Sequence, residues 1–128
     1  DSAHREFAEL VNALAACPDA EFPERFKALM NHTRAHFAAE EELMLKSGFP
    51  ALGEHSGEHK RVIDELMQFG RGLSRGRVFL ARSYIRSGLP EWFALHLATM
   101  DAALAAHLGQ VRESGRTVEL TRNTLPVL

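Results

Sequence analysis

HFAAEEELMLKSGFPALGEHSGEH, residues 36–59, decides how this chain folds. It opens on His36 and Glu40 and closes on His55 and His59. Residues four apart share one face of an α-helix, so each pair aims two metal-type side chains in one direction. Between the pairs stands Ser47-Gly48-Phe49-Pro50. Glycine suits the left-handed cap that ends a helix, and proline cannot continue the run. The stretch predicts two antiparallel helices turning four ligand-type residues toward a shared interior, as in metal sites built from the facing helices of a bundle.

On the N-terminal side, Phe7, Leu10, Val11 and Leu14 repeat at the three-and-four spacing of an amphipathic helix over residues 1–16, and His4 falls on the same stripe. Cys17 to Glu21 reads as a loop. The second helix is expected from Pro23, suited to a first turn, to Lys46. Phe26, Leu29, Met30, Thr33, Phe37 and Met44 supply its buried face. His32 lies one turn before His36, but a site there needs partners of its own, so His32 reads as a neighbour of the site or partly exposed. Glu41 and Glu42 turn elsewhere on the helix and read as solvated.

On the C-terminal side, a third helix is expected over Leu52 to Leu73, carrying Val62, Ile63, Leu66 and Phe69. Gly53 and Gly57 weaken it by about 1 kcal/mol each relative to alanine. Gly57, between two histidines, reads as relief for close helix approach. Ser74-Arg75-Gly76 makes the next break. A fourth helical region over Arg77 to Leu108 contains Ser87-Gly88-Leu89-Pro90, where a kink or short break is expected. Beyond it, His96 and Asp101 are five apart, about 140° around an ideal helix. They serve one site only if that site is wide or a π-bulge realigns them. His107, near the expected helix end, reads as solvated. From Gly109 the helical period fades. The reading is an all-α, up-down-up-down four-helix bundle over residues 1–108 with a di-metal site in its core, and a tail or linker over 109–128.

Composition narrows the functions. A chain of 128 residues with 45% hydrophobic content makes one domain with one core. A formal net charge of −2, with acids and bases interspersed, argues against nucleic acid or an anionic membrane as the main partner. No apolar run reaches a membrane span, and no signal peptide is visible. The single cysteine, Cys17, excludes an internal disulfide and suits a reducing compartment, hence an expected cytoplasmic location; it reads as a buried bystander.

The candidate ligands are His4, His36, Glu40, His55, His59, His96 and Asp101. All four helices contribute. Five imidazoles and two carboxylates are too many for one tetrahedral zinc and suit two first-row metals sharing carboxylate bridges. Imidazole without thiolate favours iron, copper, zinc or nickel, and the carboxylates tilt the choice toward iron or manganese.

These residues resemble the hemerythrins, in particular the bacterial hemerythrin-like domains. The resemblance spans residues 1–108. It rests on D-x-x-H at Asp1 to His4, HFxxEE at His36 to Glu41, H-x-x-x-H at His55 to His59, and W-x-x-x-H-x-x-x-x-D from Trp92 to Asp101. Each motif is weak alone; in order and at fitting separations they are strong. The resemblance implies two iron ions per chain. His55, His59 and His96 would bind one and His4 with His36 the other, bridged by Glu40, Asp101 and an oxo or hydroxo group. It also implies an open position on the second iron where dioxygen binds, with Phe93 an apolar residue over that iron. Phe37 and Trp92 are the further oxygen-pocket candidates. With three residues before His4, the family's N-terminal arm is not expected here, which would leave that end of the bundle more open or let the first helix fray and weaken the His4 contact.

The function implied is non-haem di-iron oxygen binding, for delivery or for oxygen or redox sensing. A sensor would pass its signal through the tail to a fused domain in a longer native chain. The alternative is a peroxidase- or oxidase-like di-iron enzyme. It is the weaker reading because oxygen-activating bundle sites carry more carboxylates, and no cysteine pair or evident acid–base residue accompanies this site.

Overall fold

The structure, a computed structural model, describes residues 2–114 of the chain. Four helices make it up: α1 (Ser2–Ala16), α2 (Phe22–Ser47), α3 (Leu52–Leu73) and α4, which runs over residues 78–113. Connections of a few residues force consecutive helices to pack antiparallel. α1 packs on α2, α2 on α3 and α3 on α4, and α4 closes the bundle against α1 and α2.

The turns follow the local chemistry. Gly48 takes the left-handed conformation (φ 67°) at the end of α2. Its N–H donates to the Leu45 carbonyl at 3.3 Å, and the Phe49 N–H reaches the Met44 carbonyl at 3.0 Å. That pairing satisfies two orphan carbonyls of the last turn. Gly76 (φ 79°) makes the tight turn before α4 in the same region of backbone space.

Two apolar clusters fill the interior. One gathers Phe7, Leu14, Phe26, Leu29, Phe37, Val62, Leu66, Ile85 and Leu89 among its buried members. The other joins Leu43, Met44, Phe49, Leu104 and Leu108. Along the chain, most of the ligand-type residues fall between a residue of one cluster and a residue of the other. Glu40 lies between Phe37 and Leu43, His55 and His59 between Phe49 and Val62, and His96 and Asp101 between Leu89 and Leu104. The clusters thus bracket a polar layer.

α4 departs from the expected break. It is continuous, and the strain is absorbed by a π-helical segment, Tyr84–Gly88. There the Leu89 N–H donates to the carbonyl of Tyr84, five residues back. Pro90 has no N–H and its ring crowds the carbonyl four residues before it; a widened turn just upstream relieves the crowding without ending the helix. A second π segment, Leu97–Asp101, follows. α4 also outlasts the expected end at Leu108, reaching Glu113. Leu104, Leu108 and Val111 are buried at four-and-three spacing, so the apolar stripe passes over Gly109. The rest of the expected tail, residues 115–128, lies outside the described residues, as does Asp1.

Gly57 is not there to admit a neighbouring helix: a Cβ built on it meets nothing within 4 Å. Gly88 is the crowded one. A Cβ there would approach Tyr84 Cδ1 to 2.8 Å. The Tyr84 ring is held by stacking on Phe69 (4.6 Å) and by its hydroxyl donating to Glu65 at 3.1 Å. Two glycine-to-alanine changes in helices should therefore have opposite signs. Gly57→Ala should stabilise by about 0.5–1 kcal/mol through helix propensity, and Gly88→Ala should destabilise as in overpacking, by about 1–3 kcal/mol. Urea titration of both variants checks this; equal signs would contradict it.

Candidate metal centre

Each helix delivers its ligand-type residues to the polar layer by its own periodicity. On α2, His36 and Glu40 are one turn apart, and the Glu40 carboxylate points inward with no exposed surface. One of its oxygens, Oε1, lies 2.6 Å from His55 Nε2 and 3.2 Å from His59 Nε2. The other, Oε2, lies 4.0 Å from His36 Nε2. Glu40 therefore stands between two groups of imidazoles, one oxygen toward each.

Asp101, also fully buried, enters the layer from α4 on the side of His55 and His96. Its Oδ1 is 3.1 Å from His96 Nε2 and 3.3 Å from His55 Nε2. The contact with His96 across five residues exists because the segment Leu97–Asp101 is π-helical. A π turn pairs residue i with i+5, which brings the two side chains onto one face where an α-helix would splay them. The ligand atoms of Glu40, His55, His59 and His96 all lie within 4.8 Å of one another, and all four residues are buried.

His4 and His36 complete the set from the other side. His36 is buried and His4 partly so. Both have an Nε2 that is shielded from solvent yet makes no hydrogen bond. Buried polar nitrogens without partners are costly, and the Nε2 of His32 is in the same position. His32 stacks its ring parallel to that of His36, 6.1 Å away and 7° off parallel, and remains partly buried beside the layer.

Aromatic rings back the imidazoles. Phe37 lies flat on His59, with centroids 3.8 Å apart and planes 3° from parallel. Trp92 stacks on His96 at 4.5 Å and is anchored by its indole N–H donating to Glu58 at 2.9 Å. Phe93 is elsewhere. It packs on Phe7 (4.6 Å) and meets the His4 ring edge-on at 5.7 Å. The three oxygen-pocket candidates are thus divided: Phe37 and Trp92 brace the rings of His59 and His96, and Phe93 sits beside His4.

Two side chains read as solvated make contacts that the sequence did not show. Glu41 turns back to His59, its Oε2 3.0 Å from Nδ1. The signal was its place next to Glu40, about 100° around α2 and hence on the flank toward α3; only the packing of the two helices shows that the flank meets His59. His107 brings Nε2 to 2.9 Å from the Ser47 carbonyl and packs on Phe49 at 5.2 Å. It sits in mid-helix because α4 continues to Glu113, and it supplies a donor to the end of α2. Cys17 is buried, its thiol directed at the Leu14 carbonyl.

Residues 1–108 match the family described as the hemerythrin HHE cation binding domain. The chain is similar to a bacteriohemerythrin of Ralstonia nicotianae, 36% identical over 110 residues that cover 86% of this chain and 80% of that protein. It is also similar to a bacteriohemerythrin of Stenotrophomonas maltophilia, 29% identical over 118 residues, with 86% and 76% covered. No solved structure matches.

The charges set a proton balance. Burial lowers His4 and His36 below the ordinary histidine value, which keeps their lone pairs available near neutrality. Burial also pushes His55 down, but the adjoining Asp101 and Glu40 carboxylates outweigh it and raise it to about 9. For Asp101, burial acts upward and is overcome by His55 and His96, which hold it below the usual carboxylate range. A ring raised to about 9 must lose its proton to bind a metal through Nε2, so loading releases protons. The signs for stability are opposite with and without metal. In chelator-treated protein the His55 contribution is complete below pH 6.5 and lost as pH rises through about 9. In metal-loaded protein the metal's contribution grows over the same window. Melting curves of the two forms between pH 6.5 and 9 should diverge as pH rises; parallel curves would contradict the assignment.

Proposed function

The chain belongs to the hemerythrin HHE cation-binding family, and from that premise we propose that it is a non-haem di-iron protein that binds dioxygen. The observation that carries this reading is the placement of Glu40, one oxygen toward His55 and His59 and the other toward His36. A carboxylate between two imidazole groups suits a bridge between two cations. The donor set supports the choice of iron: nitrogen-rich, without thiolate, with two buried carboxylates.

In this reading His55, His59 and His96 would hold one iron and His4 and His36 the other, with Glu40 and Asp101 as the carboxylates shared between them. The iron pair would supply the electrons for reversible dioxygen binding. The chain supplies the rest. Neutral His4 and His36 add donors without adding positive charge. Phe37 and Trp92 keep His59 and His96 from turning about their side-chain bonds. Phe93, beside His4, forms an apolar wall on the side with fewer protein donors, where exclusion of water and protons slows the loss of bound oxygen as reduced species.

The metal-binding unit is the bundle to the end of α4 at Glu113, with the residues after it as a tail or link to a further domain. Binding for delivery or sensing, rather than turnover, fits a site with five histidines and two carboxylates. The cytoplasm suits a chain whose one cysteine is a buried thiol. Among the described residues no helix is long and apolar enough to cross a membrane.

Protein expressed with ample iron should contain two irons per chain, and a single tightly held zinc without iron would overturn the reading. Anaerobic reduction followed by oxygen should give a reversible visible absorption band; sustained turnover with added reductant would point to an enzyme instead. Phe93→Ala should keep both irons and autoxidise faster in stopped-flow spectra. Its stability loss should fall short of the roughly 3–5 kcal/mol of a fully buried phenylalanine. An unchanged autoxidation rate would make Phe93 ordinary packing.

A further inference from the structure

We propose that Glu41 is a positioning residue for the metal centre. Its carboxylate holds the His59 ring with the Nδ1 proton outward and strengthens that ring as an electron donor, lowering the reduction potential of the metal it binds. The proposal rests on the reading of His59 as an iron ligand.

The two nitrogens of His59 have separate partners. Nε2 faces the interior, 3.2 Å from Glu40 Oε1. Nδ1 faces Glu41 Oε2 at 3.0 Å. A carboxylate only accepts, so Nδ1 carries a proton, and Nε2 is the nitrogen turned inward, where loss of its proton would let it face a metal. Phe37, flush against the ring at 3.8 Å, blocks the rotation that would exchange the two nitrogens. His55, one turn away on the same helix, differs: its Nδ1 is buried and makes no hydrogen bond.

Glu41 reaches His59 from the edge of the solvent. Its side chain is 38% exposed and lines an open cleft of about 410 Å³ with Arg34, Ser56 and Lys60. Neither base pairs with it among the described residues, and Lys60 instead binds Asp64 at 2.7 Å. An anion hydrogen-bonded to the far nitrogen of a ligating imidazole raises the basicity of the ring. It also favours the more highly charged state of the metal, by an amount that water in the cleft reduces. Both effects lower the potential.

Glu41→Gln retains an oxygen acceptor and removes the charge. It should keep two irons, raise the midpoint potential in a redox titration, and weaken iron retention against a chelator by about tenfold. Glu41→Ala should move both readouts further the same way. Potentials equal to wild type in both variants would overturn the proposal. A second measurement needs no variant: in the full chain loaded with zinc as a diamagnetic probe, ¹⁵N–¹H spectra should show a slowly exchanging His59 proton on Nδ1. A proton on Nε2, or a rapidly exchanging one, would overturn the proposal even if the variants failed to take up iron. Absence of iron in the wild type would instead remove the di-iron reading, which the zinc spectrum judges separately.

Discussion

Two carboxylates with no exposed surface, Glu40 and Asp101, set the terms on which the rest of this bundle is built. Ionised carboxylates deep in an apolar interior are untenable unless cations or donors surround them. The chain meets that demand with imidazoles from α1, α2, α3 and α4, and a bound metal meets it more fully. Every other feature of the layer either keeps these groups together or keeps water away. The two apolar clusters flanking it do both: they pack the helices against one another and put apolar side chains on either side of the polar layer.

α4 shows how far the backbone bends to this constraint. Its two π segments cost regular hydrogen bonding, and they do different things. Tyr84–Gly88 accommodates Pro90 in a helix that must stay continuous to carry Leu89 and His96 into the interior. Leu97–Asp101 turns Asp101 onto the face of His96 and so supplies the second carboxylate. π segments recur at functional sites because the extra residue re-aims a side chain without ending the helix. Gly88, under the Tyr84 ring, belongs to the same solution.

Around the layer, hydrogen bonds and ring stacking decide orientation. His59 is held by Glu41 and Phe37, His96 by Trp92, and Trp92 in turn by Glu58. Held rings present their nitrogens in one direction only, which is what separates a metal site from a group of nearby histidines. The division of aromatics also gives the two sides different surroundings, braced rings on one and Phe93 with Phe7 beside His4 on the other.

Periodicity within a helix is a local property, so the sequence by itself determined the first three helices, their turns and the shared faces of His36 with Glu40 and His55 with His59. Gly48 and Gly76 marked chain reversals because few residues other than glycine adopt positive φ. The order of the motifs was enough to point to the family. Tertiary structure decided what depends on how helices are rotated and offset against one another. That one residue on the flank of α2 meets His59, that His107 reaches the end of α2, and that Phe93 parts company with Phe37 and Trp92 are facts of packing between helices. The π alignment of His96 and Asp101 is the mixed case. The five-residue gap showed that something must realign them, but an α-helix and a π turn are written in the same residues, and the choice between them is made by the interior they must reach.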